Sequence, residues 1–358
     1  MGRNTNNSNL HKAKESKSDE FYTQYCDIER ELMHYTNQFK GKIVYCNCDD
    51  PLKSNFFRFF VNNFHVLGLK RLISACYQKS ENSIFDIERP KGYYVVYEGK
   101  AYENFEEVCN NIVYFQGDGD FRSAESKKLL LESDIVVTNP PFSLFREFVA
   151  TIVRFQKEFI IIGNINAITY KEIFELIQNN KVWLGHNLGR GISGFIVPDH
   201  YELYGTEARI DENGQRIVSS NNCLWLTNLE SPLRNEFIHL TKVYRGNESE
   251  YPVFDNYDAI NVNRTQDIPM DFSGVMGVPI TFLHKFNPKQ FEIIKFRKGN
   301  DGKDLSIGGK CPYFRILIRN LQLRLSDSKV QDMDYVRQDL KNNKLQSSKS
   351  DIIQLSLF

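Results

Sequence analysis

The stretch DIVVTNPPFSLF, residues 134–145, decides how the rest of the chain is read. Its apolar run, Ile135 to Thr138, has the length and branching of a buried strand, and Asn139-Pro140-Pro141-Phe142 ends it. Two successive prolines can neither donate to a ladder nor enter a helix interior, so the chain must leave the strand there along a stiff path. Helical spacing then resumes over residues 143–155. The product is a rigid polar elbow, ending in an aromatic ring, beyond the carboxyl end of a strand. In open α/β sheets ligands bind at such places.

On both sides of the elbow short apolar runs alternate with amphipathic stretches. Strands are predicted at residues 42–46 (KIVYC), 71–77, 112–115, 135–138, 159–163 and 181–185, and helices at 19–39, 54–67, 123–132, 143–155 and 170–179. The run YYVVY at 93–97, followed by Glu98-Gly99-Lys100, reads as the start of an inserted hairpin. This alternation implies right-handed crossovers and an α/β fold built on a doubly wound, mainly parallel sheet. The rhythm changes after residue 186, where glycines cluster at 185, 189, 191, 194 and 205 and Asp211-Glu212-Asn213-Gly214 marks a turn. Residues 222–228 (NCLWLTN) are apolar enough for a late core strand. The expected division is a mobile basic arm over 1–18, a core domain over 19–228, a loop-rich region over 229–320 and a helical or disordered tail over 321–358. The third of these carries basic points at Arg234, Lys242, Arg245, Arg264, Lys285, Lys295, Arg297, Lys298 and Lys310.

The chain has 358 residues, enough to bury a sizeable core, and its 41% hydrophobic and 25% charged residues fit a globular protein. Its formal net charge is zero, so any hold on a polyanion must come from a local basic patch. The 27 Phe and 18 Tyr serve either to fill a core or to stack on bases. Seven scattered cysteines with no Cys-x-x-Cys pair read as reduced thiols of a cytoplasmic protein, and no metal site is expected. No apolar run approaches the ~18 residues a membrane span requires.

A sheet with elbows at its strand ends suits a nucleotide-like cofactor, yet neither G-x-G-x-x-G nor G-x-x-x-x-G-K-[ST] occurs. The first strand instead runs into Asn47-Cys48-Asp49-Asp50-Pro51. These acceptors suit a ligand with an ammonium group and ribose hydroxyls, or else Asp49 or Asp50 caps the next helix. The third strand runs into Gly117-Asp118-Gly119-Asp120-Phe121, where small residues admit something flat and a carboxylate can accept from an exocyclic amine; a plain Gly-Asp turn is the alternative. The Asn-Pro-Pro-aromatic string is far more specific. The Asn139 amide oxygen and the Pro140 carbonyl can both accept from one amino group, while Phe142 offers a face to a planar ring. Two acceptors on one exocyclic NH2 turn its nitrogen lone pair out of the ring plane and prepare a weak nucleophile.

The order strand, acidic loop, strand, Gly-Asp-Phe, strand, Asn-Pro-Pro-Phe resembles the S-adenosyl-L-methionine-dependent amino-methyltransferases that modify adenine in DNA. More narrowly, KSDEFYTQYCDIE, KIVYCNCDDP, GDGDFRS, SDIVVTNPPFSLFRE, GFIVPDHYELYGTEARID, NNCLWLTN, GVMGVPITFLHKFNP and CPYFRILI are similar to the EcoRI-type adenine-specific DNA methylases, over about residues 11–320. The last 38 residues lie outside the similarity. The resemblance implies a Rossmann-like fold of the methyltransferase type with a target-recognition region, and S-adenosyl-L-methionine as cofactor. It implies double-stranded DNA as substrate, with methylation of N6 of the second adenine of GAATTC protecting a bacterium's DNA from a matching endonuclease. By this resemblance Asn139, Pro140, Pro141 and Phe142 form the catalytic motif. Tyr22, Thr23 and Gln24, then Asn47, Asp49 and Asp50, and finally Asp118, Asp120 and Phe121, fall at cofactor-binding positions. A monomer without membrane attachment is expected. Enzymes methylating an RNA base or a protein glutamine use the same string, and a silent DNA-binding regulator could keep the fold.

Overall fold

The protein is described from a computed structural model, which covers residues 22–78, 91–187, 192–199, 203, 208–219, 222–297, 305–311 and 314–323. The expected arm over 1–18 and the tail beyond residue 323 lie outside the described residues. The chain divides into two compact units, Met1–Leu233 and Arg234–Phe358.

The first unit is organised by an eight-stranded sheet. Its strands are β2 (Ile43–Cys46), β3 (Arg71–Cys76), β4 (Tyr93–Tyr97), β5 (Ile112–Tyr114), β6 (Ile135–Thr138), β7 (Glu158–Asn164), β8 (Trp183–Leu184) and β12 (Cys223–Thr227), in the spatial order β5-β4-β3-β2-β6-β7-β12-β8. β2 and β6 are buried at every residue, as expected of near-continuous apolar strands covered on both faces. Phe56, Phe57, Phe59 and Phe60 of the helix Asn55–Asn62 pack with Trp225, Phe195 and the strand residues Val44, Val137 and Ile160 in one core cluster. Much of the phenylalanine excess is therefore core.

The sheet is parallel only at its centre, where β2 pairs with β3 and β6, and β6 with β7. β4 pairs antiparallel with both β3 and β5, and β12 with both β7 and β8. The expectation of a mainly parallel sheet is corrected accordingly. YYVVY does not start a separate hairpin; it fills the sheet between β3 and β5, and the segment after its turn forms the helix Phe105–Cys109. Asn104 caps that helix by accepting from the Glu107 N–H at 3.0 Å. Two antiparallel steps restore direction, so β5 again points the same way as β3. Its carboxyl end joins those of β2, β3, β6 and β7 along one edge of the sheet.

A second sheet of this unit has the order β1-β9-β11-β10, from β1 (Tyr22–Thr23), β9 (Phe195–Val197), β10 (Ala208–Ile210) and β11 (Arg216–Val218), all antiparallel. It corrects the helix expected over 19–39, which starts only at Tyr25. Tyr22 and Thr23 pair with Ile196 and Phe195, a tertiary contact that overrides the helical spacing of the side chains.

The described residues of the second unit, from Arg234 on, are more regular than the loop-rich region expected over 229–320. β13 (Ile260–Asn261), β14 (Met276–Pro279), β15 (Phe291–Arg297) and β16 (Arg315–Asn320) form a sheet of order β13-β14-β16-β15. Phe254 and Leu317 lie in a core cluster beside it. No helix among the described residues is long and apolar enough to cross a membrane.

Candidate active site

β6 delivers the elbow. Thr138, its last residue, is fully buried; Pro140 is buried, Asn139 half-buried. Pro141 has φ −56° and leads into one 3-10 turn, Phe142–Leu144, closed by the Leu144 N–H on the Pro141 carbonyl at 3.0 Å. The helix Phe145–Arg154 follows directly. Strand, proline corner, single turn and helix leave Phe142 half-buried at the core margin, its ring edge-on to Phe195 at 6.2 Å and 70°.

Phe195 connects the elbow to the start of the described chain, because it pairs with Thr23 in β9/β1. Beside it the Gln24 amide donates to Ser193 Oγ at 2.7 Å and to the Gly194 carbonyl at 3.0 Å. Asn55 donates to the Thr23 carbonyl at 2.8 Å. The Thr23 hydroxyl is buried with no hydrogen-bonding partner among the described residues. The next helix, Tyr25–Leu32, carries two buried carboxylates that grip the distant loop. Asp27 accepts from the Ser193 N–H and hydroxyl at 2.7 and 2.8 Å. Glu31 accepts from the N–H groups of His186 and Asn187 at 2.6 and 2.8 Å. Burial pushes both carboxyls upward, and these hydrogen bonds pull against it.

After β2, Asp49 is 6% exposed and serves as a bracket. Its carboxylate accepts from Thr138 Oγ1 at 2.5 Å and Ser54 Oγ at 2.9 Å, and the Asn139 backbone N–H donates to it as well. The Asp49 backbone is tied to β3 through Ser74 Oγ and Ala75. Burial raises this carboxyl to about 7. Asp50 accepts from the Tyr93 hydroxyl at 2.8 Å and the Leu52 N–H at 3.0 Å, with Lys53 Nζ at 4.0 Å. Neither aspartate caps the following helix; Ser54 does, accepting from the N–H groups of Phe56 and Phe57. Asn47 is buried and accepts from Cys48 Sγ at 3.3 Å.

The loop after β5 lies against the end of β3. Gly119 has φ +80°, and a Cβ there would sit 2.5 Å from the Cys76 carbonyl, so only glycine fits. Asp118 accepts from the Asp120 N–H at 3.0 Å, while its carbonyl accepts from Gln78. The Arg122 guanidinium grips Asp120 through both oxygens, at 2.9 and 2.6 Å, which holds that carboxyl below its usual range. Arg122 also reaches Glu147 of the helix after the elbow at 3.5 Å. Phe121 is buried, edge-on to Phe148 at 5.1 Å, so its ring belongs to the core. Burial, with Asp49 and Asp120 adding to it, pushes the Cys48 thiol well up.

Residues 9–350 match the family described as the adenine-specific methyltransferase EcoRI. The chain belongs to this family. It is 63% identical over 327 residues to the Type II methyltransferase M.EcoRI of Escherichia coli, covering 90% of this chain and all of the relative. The Type II methyltransferase M.MpnI of Mycoplasma pneumoniae is 37% identical over 331 residues, covering 87% of this chain and 98% of that protein. M.MgeORF184P of Mycoplasma genitalium is 36% identical over 332 residues, with coverages of 88% and 99%. No solved structure matches significantly. The chain is thus an adenine-specific methyltransferase, and a methyl donor is implied. The family match extends to residue 350, so most of the last 38 residues, set outside the resemblance in the sequence, fall within it.

In this methyltransferase the four segments named from the sequence converge on one sheet edge. Asp49 meets residues 138 and 139 directly, and residues 22–24 meet Phe142 through Phe195. The loop at 117–121 meets the helix after the elbow through Arg122 and Phe121. Sequence reading missed Ser54, Asn55, Tyr93, Arg122, Thr138, Ser193 and Phe195. Of these only Thr138 and Ser54 carried a local signal, one abutting Asn139 and the other starting a helix; the rest reach the site through tertiary contacts.

Proposed function

We propose that this enzyme transfers a methyl group from S-adenosyl-L-methionine to N6 of adenine in double-stranded DNA, at the second adenine of GAATTC, and so protects host DNA from an endonuclease cutting that site. The observation that carries the reading is the elbow. An Asn-Pro-Pro-Phe corner stands at the end of a central parallel strand, its Asn139 N–H held from below by Asp49 and its aromatic ring half-exposed. The four parallel central strands are read as the core of a doubly wound, Rossmann-like methyltransferase fold.

The residues present fit the cofactor. The Thr23 hydroxyl, buried and without a partner among the described residues, suits a polar ligand, and Asp50 and Asp118 offer acceptors to ammonium and hydroxyl groups; Gly119 itself is packed against the Cys76 carbonyl. Residues 22–24, Asn47, Asp50, Asp118 and Asp120 would hold it; the buried Asp49 and Phe121 would support the loops behind it. When bound, it supplies an electrophilic methyl group on a sulfonium. The target adenine must leave the duplex to reach the elbow, at a cost of a few kcal/mol of unstacking. Phe142 then covers its ring, and the Asn139 amide oxygen and the Pro140 carbonyl accept the two N6 hydrogens. These two contacts would turn the N6 lone pair out of the ring plane for attack on a bound donor, and alignment together with fixed dipoles would lower the barrier. Residues 229–320 are assigned to reading the sequence, where Arg or Lys can pair with guanine and Asn or Gln with adenine. GAATTC presents one such adenine on each strand, so one active site per event suffices, and a monomer acting in the bacterial cytoplasm is the reading we adopt.

The test is to methylate a plasmid with the wild-type chain or Asn139→Ala, using a tritiated donor, and then challenge it with an endonuclease cutting GAATTC. Wild type should protect and Asn139→Ala should not, while still binding the duplex. Label incorporated without protection would remove the site assignment, and normal turnover by Asn139→Ala would remove the role of the elbow.

A further inference from the structure

We propose that Asp49 is a positioning residue for the reaction: its carboxylate, lodged between the ends of β2 and β6, fixes the backbone at Asn139 and thereby aims the Asn139 amide and the Pro140 carbonyl at the reacting amino group. The inference rests on the reading that Asn139 holds that group. The carboxylate is nearly sealed from solvent, and three donors converge on it: the hydroxyls of Thr138 and Ser54 and the Asn139 N–H. Two of the three belong to the last strand residue and the first elbow residue. A donor set drawn from β6 and from the Asn55–Asn62 helix start locks the elbow to the sheet, and Ser74 locks the Asp49 carbonyl to β3 at 2.7 Å. Prolines at 140 and 141 transmit that fixation, because neither can relax through its own φ.

The charged form is the one that accepts from all three donors. Thr138, Ser54 and Asn139 lower its proton affinity while burial raises it, leaving the carboxyl at about 7. The titratable groups facing it are Asp50, whose charge raises it further, and the thiols of Cys46 and Cys48, which burial, with Asp49 adding to it, pushes well up. From β6 and from the helix start it meets only hydroxyls and an amide. Gaining a proton turns one acceptor into a donor and loosens the bracket, so kcat should decline as pH falls through about 7.

The experiment compares Asp49→Asn, Thr138→Val, Thr138→Ser and Asn139→Ala with wild type, as full chains. It measures kcat, KM for the methyl donor, and the pH dependence of kcat on a duplex containing the target adenine. A small misaim of reacting groups costs about 100-fold, so Asp49→Asn should lose about that much kcat at unchanged KM for the donor, and its acid limb should vanish. Thr138→Val removes a donor that favours the charged form, so its acid limb should move to higher pH, and Thr138→Ser should restore it. The Thr138 pair decides the matter if Asp49→Asn does not fold. Wild-type kcat in Asp49→Asn, or a raised donor KM with intact kcat, overturns the proposal, as does an unmoved acid limb in Thr138→Val. Normal turnover by Asn139→Ala would instead sink the underlying reading of the elbow.

Discussion

Replacing Asp49 by Asn should change how the stability of this methyltransferase depends on pH, apart from any effect on turnover. The folded-state carboxyl stands at about 7 against 3.8 for the ordinary group. Its proton affinity is raised on folding, so between those values the native state holds more protons than the unfolded chain. Stability from this group is therefore greatest at low pH, falls as pH climbs from about 4 towards about 7, and is level above that. From pH 5 to pH 8 only the climb to about 7 counts, roughly two units at ~1.4 kcal/mol each, or about 3 kcal/mol. Asp27 and Glu31 are also raised by burial and slope the same way, but they are common to both proteins and cancel in the comparison. The assay is urea unfolding followed by tryptophan fluorescence. The chain's two tryptophans, Trp183 and Trp225, lie with Asp49 in the first unit and report on it. Wild type should lose about 3 kcal/mol more than Asp49→Asn between the two pH values. An equal loss in both would mean that the carboxyl titrates in the fold as it does in water, and the bracket reasoning would fail.

Gly163→Ala should cost about 1–3 kcal/mol in the same unfolding assay. Its Cβ would lie 2.6 Å from Cζ of the buried Phe145, at the start of the helix after the elbow, and turnover should fall too; a silent variant would mean the ring has room to yield. Phe142→Ala should weaken capture of the extrahelical adenine by about 1–3 kcal/mol, the usual worth of a base stacked on an aromatic ring, and Phe142→Tyr should retain it. Fluorescence of 2-aminopurine at the target position reads this directly, and equal capture by both variants would deny the ring a stacking role.

The parts legible in the sequence were those encoded locally. β2, β6 and β7 announce themselves as short, branched, apolar runs, and the double proline marks where β6 must end. Strand direction is not encoded locally. YYVVY says strand, but only its register, with Leu72 opposite Tyr97, makes it antiparallel and central to one side of the sheet. Residues 22–23 read as helix because Phe21, Tyr25, Ile28 and Leu32 keep helical spacing across the true boundary. In the second unit Gly277, whose open face receives the Phe254 ring, Pro279 at the strand end, and the irregularity between Ile293 and Lys295 each break the alternation that would have revealed β14 to β16. At the site the same division holds. Asn139 and Phe142 stood out through a rare string, and Asp49, picked out by type, proves to be tied by Thr138 and Ser54 to the Asn-Pro-Pro-Phe elbow. Arg122 and Phe195 lie far from Asn139 along the chain or carry no pattern of their own.

The grip of Asp27 on Ser193 and of Glu31 on His186 spans 166 and 155 residues. During synthesis at ~5–20 residues per second, these carboxylates leave the ribosome roughly 10 to 30 seconds before their donors do. Over that interval Asp27 has Arg30, at 3.5 Å, and Glu31 has the Tyr35 hydroxyl, at 3.0 Å, but neither has its donors from the distant loop, so the helix face that bears them must stay wet. The strand Tyr22–Thr23 likewise waits for β9, its strand neighbour among the described residues. In the nascent chain, therefore, the segment at residues 22–32 is translated first and is among the last of the first unit to settle.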